Sequence, residues 1–221
     1  ADVPDRFVED GRVDLDRDAL WSWLQRRYEQ LFADYPQFDG LLLTFHETEH
    51  KIFDDDEVVS AMSRPERFAR LIRTIHRACE KYDRDLVVRT FLYEPQELAW
   101  LEEGLREVPE EVMIQSKAVP HDWQPYYPHN PMIGAFPERR QIVEFDASSE
   151  YTGKSRIPYT SPSYFLYRWR YALQYSQVVG YNARIDHSGY DALYTPNAIN
   201  LYALSRLTED STVTAGQIWT E

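Results

Sequence analysis

Five short apolar runs punctuate the chain, each rich in β-branched or aromatic residues: FDGLLLTF at 38–45, DLVVRTFLY at 85–93, EVMIQSKAV at 111–119, RQIVEFDA at 140–147 and QVVGYNARID at 177–186. Each is nearly continuous rather than alternating, the pattern of strands buried on both faces of a parallel sheet. Helical spacing separates several of them. Residues 16–34 repeat apolar positions every three or four residues, with acids early and Arg later. Residues 64–82 form an amphipathic pattern with Pro65 in its first turn, and 95–107 open on Pro95, a residue suited to a helix start. Residues 161–177 and 196–207 read the same way. Strands alternating with helices predict βαβ units. No internal repeat, low-complexity tract or linker interrupts 1–221, so a single domain is expected.

Such units build either a doubly wound sheet or a barrel. No Gly-rich phosphate loop follows any run, and polar and ionisable residues gather at the carboxyl ends of all five. Both features favour an α/β fold of the (β/α)8 TIM-barrel type, whose active site lies at the strands' carboxyl ends. A closed barrel uses eight strands and about 250 residues. The 221-residue chain is therefore expected to hold the carboxyl-terminal portion of one barrel domain. Its first three strands would lie in residues not present, or be supplied by another segment of the same or another chain.

The formal charge, 24 − 37 = −13, gives neither nucleic acid nor an anionic membrane a reason to approach. The cations are lopsided, with twenty Arg against Lys51, Lys81, Lys117 and Lys154, a balance that suggests a salt-adapted surface. Cys79 is the only cysteine, so no disulfide framework or thiolate metal site exists. It falls in the apolar pattern of a helix and reads as a small buried residue. No run reaches the roughly 18 apolar residues of a membrane span, and residues 1–14 have neither a basic start nor an apolar stretch. The compartment stays open. Six Trp and sixteen Tyr supply core packing and flat rings that stack on sugars.

The strand ends form a constellation. After the first run stands His46-Glu47-Thr48-Glu49-His50; the second yields Arg89, Tyr93 and Glu94; the third Lys117 and His121-Asp122-Trp123-Gln124. The fourth yields Asp146 and Glu150-Tyr151, the fifth Asn182, Arg184, Asp186 and His187. Carboxylates on separate strands, with aromatic and basic residues between them, suit glycoside hydrolysis. That reaction needs one protonated acid at the leaving oxygen and one carboxylate acting on water or carbon. Each element also has a plainer reading. Two His four apart bind zinc from a helix, whereas this pair follows a strand, so no metal and no cofactor is expected. Asp122 is equally able to cap a turn in its Pro-rich loop, and Glu150 to be an ordinary loop carboxylate. Arg89 and Lys117 sit inside apolar strands, where each charge needs a partner; a structural salt bridge serves as well as a substrate. No Gly-x-Ser-x-Gly elbow is present, which disfavours a serine hydrolase.

Several ordered motifs resemble the α-glucuronidases of glycoside hydrolase family 67. Gln115-Ser-Lys117 followed by Pro120-His-Asp122-Trp-Gln124 is similar to that family's Q-x-K strand and P-x-D-F-Q segment, and Pro131-Met-Ile-Gly134-Ala to its P-x-x-G-A loop. Glu144-Phe-Asp-Ala-Ser-Ser-Glu150-Tyr151-Thr-Gly153-Lys154 resembles E-L-Q-x-x-Q-E-Y-x-G-Q, and Val88-Arg89-Thr-Phe-Leu-Tyr93 resembles W-R-A-F-V-Y. The tail from Asn197 to Leu207 looks like the helix that closes the family's barrel. Together these cover most of 36–210 in the family's order.

The resemblance implies an exo-acting, inverting hydrolase that releases a terminal uronic acid from a polysaccharide or oligosaccharide. Asp122 and Glu150 match the carboxylates that flank the attacking water. The family's acid aligns without gaps on Thr48, between Glu47 and Glu49; Glu47 is preferred as the nearer to the strand end, and Glu49 is second. Arg89 and Lys117 match residues that bind the uronate carboxylate, with Trp123, Tyr93, Arg184 and Asp186 as further substrate contacts. A third basic residue of the family is replaced here by Thr44, and Phe45-His46 stand where small polar residues are usual. The uronate is then held differently, with help from Arg184, or the sugar is not 4-O-methylglucuronic acid. Two other readings remain: a related barrel acting on a neutral or N-acetylated sugar, and a non-catalytic carbohydrate-binding module on the same scaffold.

Overall fold

The computed structural model describes residues 3–153, 157–187 and 189–221, which leaves Lys154 of the family-like motif outside the described residues. The chain is an α/β protein that divides into two compact units, Ala1–Ile114 and Gln115–Glu221.

The first unit begins with a hairpin of β1 (Val8–Glu9) and β2 (Arg12–Asp14), paired Val8 to Val13 and Glu9 to Arg12. Its turn residues, Asp10 and Gly11, have φ of 50° and 79°, the left-handed backbone that an Asp-Gly turn supplies most readily. Helix α1 (Asp18–Asp34) follows, then β3 (Gly40–Leu43) and the two-residue β4 (Val58–Val59). β4 pairs in parallel with β2 and completes a small three-stranded sheet. Phe7, Val13, Leu15, Leu20, Trp21 and Val58 form the apolar cluster around this corner, and the Trp21 indole donates to the Leu15 carbonyl at 2.8 Å.

Helix α2 (Arg64–Lys81) opens on a capping box: the Ser63 amide donates to Glu66 Oε2 at 2.7 Å, and Pro65 occupies the first turn. It buries Phe68, Ile72, Ile75 and Cys79. Strand β5 (Asp85–Arg89) pairs in parallel with β3, Gly40 opposite Asp85 and Leu43 opposite Val88. A side chain at residue 40 would meet the Asp85 carbonyl oxygen at 2.4 Å, so only glycine lets these strands close. Helix α3 (Pro95–Leu105) follows, and then β6 (Met113–Lys117), the strand at which the division into units falls. The strand order is β3-β5-β6 here and β6-β7-β8 in the second unit.

In the second unit β7 (Gln141–Asp146) pairs in parallel with β8 (Val178–Arg184), with a register irregularity at Gln141/Ile142. Helices α4 (Pro162–Ala172), α5 (Ala198–Glu209) and α6 (Ala215–Thr220) pack there, and Val143, Phe145, Phe165, Leu166, Trp169 and Leu207 are central to the core. Between β8 and α5 a short hairpin pairs β9 (Asp186–His187) with β10 (Tyr190–Asp191). Gln141, fully buried, donates to Ser116 Oγ at 3.0 Å and to the Met132 carbonyl at 2.9 Å, and accepts from the Gly134 amide at 3.0 Å. A buried amide satisfied in this way pins the loop after β6 to the start of β7.

All five apolar runs are strands, and all five helical patterns are helices. Burial on both faces holds for β6 and nearly for β7 but not for the outer two. Leu42 of β3 and Val179 of β8 are more than half exposed, and each of these two strands has a neighbour on one side alone in the strand order. Helix α4 stops at Ala172 rather than continuing to 177, as hydrogen-bonded turns from Trp169 to Val178 end it. No helix of the described residues is long and apolar enough to cross a membrane.

Candidate active site

In the first unit the loop that leaves β3 carries His46, Glu47 and Glu49, while β5 ends on Arg89 and the segment after it carries Phe91 and Tyr93. One carboxylate ties the two loops together. Glu97 Oε2 lies 2.9 Å from His46 Nε2 and accepts from the backbone amides of Tyr93 and Glu94, both at 3.1 Å. The Tyr93 ring lies 4.0 Å from the His46 ring. Arg89 Nη1 stands 3.3 Å from Glu47 Oε2, and its guanidinium lies over the Phe91 ring at 4.9 Å. The arginine is largely buried while Glu47 is exposed, so the carboxylate offsets the buried charge and keeps a face toward solvent. Glu49 is exposed on the same loop. Sequence reasoning put Glu47 at the end of one strand and Arg89 and Tyr93 at the end of the next; it missed Glu97. The signal was present, because Pro95 with Glu97 two residues on marks a helix start whose carboxylate turns back.

In the second unit the site is assembled from the ends of β6, β7 and β8. Lys117, almost fully buried, donates to Asp122 Oδ1 at 2.7 Å and lies 4.4 Å from the Trp123 ring centroid. Asp122 Oδ2 accepts a hydrogen bond from the Tyr151 hydroxyl. Burial works to raise the Asp122 pKa, but the bonds from Lys117 and Tyr151, with the charges of Lys117 and His121, outweigh it and hold the carboxyl below its usual value. Asp122 is therefore ionised at neutral pH, as a base or water-orienting group must be and a proton donor must not.

Glu150 is fixed from both sides. Its backbone amide donates to Asp146 Oδ2 at 2.6 Å, while Asp146 Oδ1 accepts from the Ser148 amide at 3.0 Å and hydroxyl at 2.6 Å. Ser149 takes a left-handed φ of 61°, and its hydroxyl receives the Asn197 amide at 3.2 Å. The Glu150 carboxylate pairs with Arg184 Nη1, while Arg184 Nε donates to the carbonyl of Asp186 at 3.1 Å. Asp186 thus orients Arg184 through its backbone, and its own residue is exposed. Asp146 and Asn197 were missed as organisers of Glu150. For Asp146 the pattern Asp-x-Ser was the available signal, since such a carboxylate closes a turn onto the amide two residues on; for Asn197, in the tail after β8, no local pattern pointed to Ser149.

The two units thus each carry part of the predicted set: Glu47, Glu49, Arg89 and Tyr93 in the first, Lys117, Asp122, Trp123, Glu150, Arg184 and Asp186 in the second. Both cations expected to meet a substrate carboxylate are paired with a carboxylate of the chain. Among the described residues no three His, Cys, Asp or Glu side chains converge as a metal site requires.

Residues 9–184 match the family model described as the glycosyl hydrolase family 67 middle domain. No curated protein matches the chain.

Proposed function

The chain belongs to glycosyl hydrolase family 67, whose middle domain it carries, and from that membership we propose an exo-acting, inverting glycosidase that releases a terminal uronic acid from a polysaccharide or oligosaccharide. The observation that carries this reading is the state of Asp122: a carboxylate kept ionised by Lys117 and Tyr151 in the loop that follows a buried strand. Asp122 and Glu150 orient and deprotonate the attacking water, and Glu47 or Glu49 protonates the leaving oxygen. Inversion places acid and base about 6.5–9.5 Å apart, leaving room for that water. Lys117 and Arg89 bind the uronate by sharing their protons between the chain's own carboxylates and the sugar's, a charge-assisted contact. In this reading the strands belong to a β/α barrel, and Trp123 and Tyr93 border the sugar.

Asp122→Asn and Glu150→Gln test it. Amides are preferable to alanine because they keep a hydrogen-bond acceptor for Lys117 and Arg184 at nearly the same shape. Each variant is expected to lose about 10²–10⁴ in turnover of an aryl uronide while its thermal unfolding stays cooperative. Wild-type rates in both would remove the assignment.

A second reading is favoured by Thr44, a neutral side chain where the resemblance calls for a cation. Under it the substrate is a neutral or N-acetylated sugar, and Arg89 and Lys117 are structural. A panel of aryl glycosides, with the product anomer read by proton NMR, separates the two: an inverted uronic acid supports the first, a retained N-acetylhexosamine the second.

A further inference from the structure

The loop from 44 to 57 joins β3 to β4 and carries both candidate acids, Glu47 and Glu49, at exposed positions. Contacts along it fix its path. At the near end the His46 side chain, only 7% exposed, is wedged between the Phe53 and Tyr93 rings, at 5.2 and 4.0 Å, and reaches Glu97 Oε2 at 2.9 Å. Next to it Glu47 meets Arg89 at 3.3 Å. Farther on, Glu57 Oε2 accepts from the Lys51 amide at 2.5 Å, and its other oxygen lies 3.5 Å from the Lys51 ammonium.

Glu97 does more than a helix start asks of it. A capping box uses the carboxylate for the N-cap amide, here that of Glu94. The same oxygen also accepts the Tyr93 amide and meets the His46 ring, 51 residues away in sequence. An oxygen that already accepts two amide protons faces the ring as an acceptor, so His46 Nε2 carries the proton and donates. The bond therefore runs from the residue before Glu47 to the helix that follows Arg89 and Tyr93. A general acid must come within hydrogen-bond reach of the leaving oxygen, and a displacement of about 1 Å costs on the order of 10²-fold in rate. An exposed carboxylate on a loop has no wall of its own to hold it there. We propose that His46 and Glu97 are a positioning pair that holds the acid-bearing loop against the Arg89–Tyr93 strand end and so sets where the acid meets the leaving oxygen. This deepens the glycosidase reading above and rests on it.

Leaving-group dependence tests it on the whole chain, with the 4-nitrophenyl and phenyl glycosides of the sugar that the wild-type protein hydrolyses. 4-Nitrophenolate departs with little need of a proton, whereas phenolate needs one, so the phenyl glycoside reports where the acid stands. His46→Phe keeps a ring between Phe53 and Tyr93 and removes the donor. It is expected to lower kcat about 10–100-fold on the phenyl glycoside and by less than about threefold on the 4-nitrophenyl glycoside, with KM little changed. His46→Gln, which keeps a donor, is expected to recover much of the phenyl rate. Glu97→Ala removes the same bond from the other side, and adding His46→Phe to it is expected to cost nothing further; it carries the test if His46→Phe does not fold. Asp122→Asn is expected to slow both glycosides alike, since both need the attacking water. An equal fall on the two glycosides, wild-type rates in both single variants, no recovery in His46→Gln, or additive losses in the double variant overturns the positioning role and leaves the glycosidase reading standing. Failure of the wild-type protein to hydrolyse any aryl glycoside of the panel overturns both.

Discussion

Asp122 shows how a carboxylate's neighbours decide its chemistry. Burial alone would favour the neutral acid; Lys117 and Tyr151 reverse that. Because the folded pKa lies below the unfolded value, the stabilisation from this group is fully present above the unfolded pKa, about 3.9. It is lost as pH falls through the lower folded value. Removing one donor makes the depression smaller. Tyr151→Phe is therefore expected to shift the acidic limb of kcat/KM toward neutral pH, without moving the basic limb. An acidic limb that stays in place or moves lower would show that the Tyr151 bond does not set this ionisation. Cys79 presents the opposite case. Burial, and then the charge of Asp85, push its thiol up to about 12, so almost no thiolate exists at pH 8. A disulfide reagent at pH 8 is expected to leave the native protein unlabelled and to label it at once in denaturant; rapid native labelling would contradict the burial.

Among the elements, what was legible in the sequence follows from length. Runs such as 111–119 and patterns such as 64–82 are long enough for their period to be read, and they become β6 and α2 within a few residues. The hairpin β1–β2 and its parallel partner β4 have two or three residues each, too few for any period, although Asp10-Gly11 marks the turn. The site divides in the same way. Residues at strand ends could be read from position, because the carboxyl end of a strand is where a βα unit displays its side chains. Partners could not: Lys117 meeting Asp122, Glu97 meeting His46, and Asn197 meeting Ser149 depend on how loops fold back. Asp186, expected as a substrate contact, contributes to Arg184 a carbonyl that no side-chain pattern reveals. Capping is the exception, since it is local. Ser63 and Glu66 satisfy each other's end of α2, so Ser63→Ala is expected to cost about 1 kcal/mol, a fall of about 2–4 °C in melting temperature for a chain of this size. An unchanged melting curve would mean that packing of Phe68 and Ile72, rather than the cap, fixes the start of the helix.

For the molecule as a whole, the governing quantity is its charge of −13, and two electrostatic effects oppose each other as salt is added. Ion pairs such as Lys81 with Glu29, at 2.5 Å, and Arg206 with Glu221, at 2.9 Å, are partly solvent-exposed; such pairs contribute about 0–1 kcal/mol each and weaken on screening. Repulsion among the excess acids destabilises the compact state and also weakens on screening. Thirteen uncompensated charges act on one another over the whole surface, whereas each pair acts only locally. The Debye length, about 30 Å at 0.01 M salt and 3 Å at 1 M, spans the range in which the long-range effect vanishes first. The repulsion is therefore expected to win, and the melting temperature to rise between 0.01 M and about 0.5 M NaCl before levelling off. The rise should be equal in NaCl and KCl, because it depends on ionic strength rather than on a bound cation. A melting temperature that falls with salt would give the surface pairs the larger share, and one that rises only with a particular cation would point to specific binding among the acids.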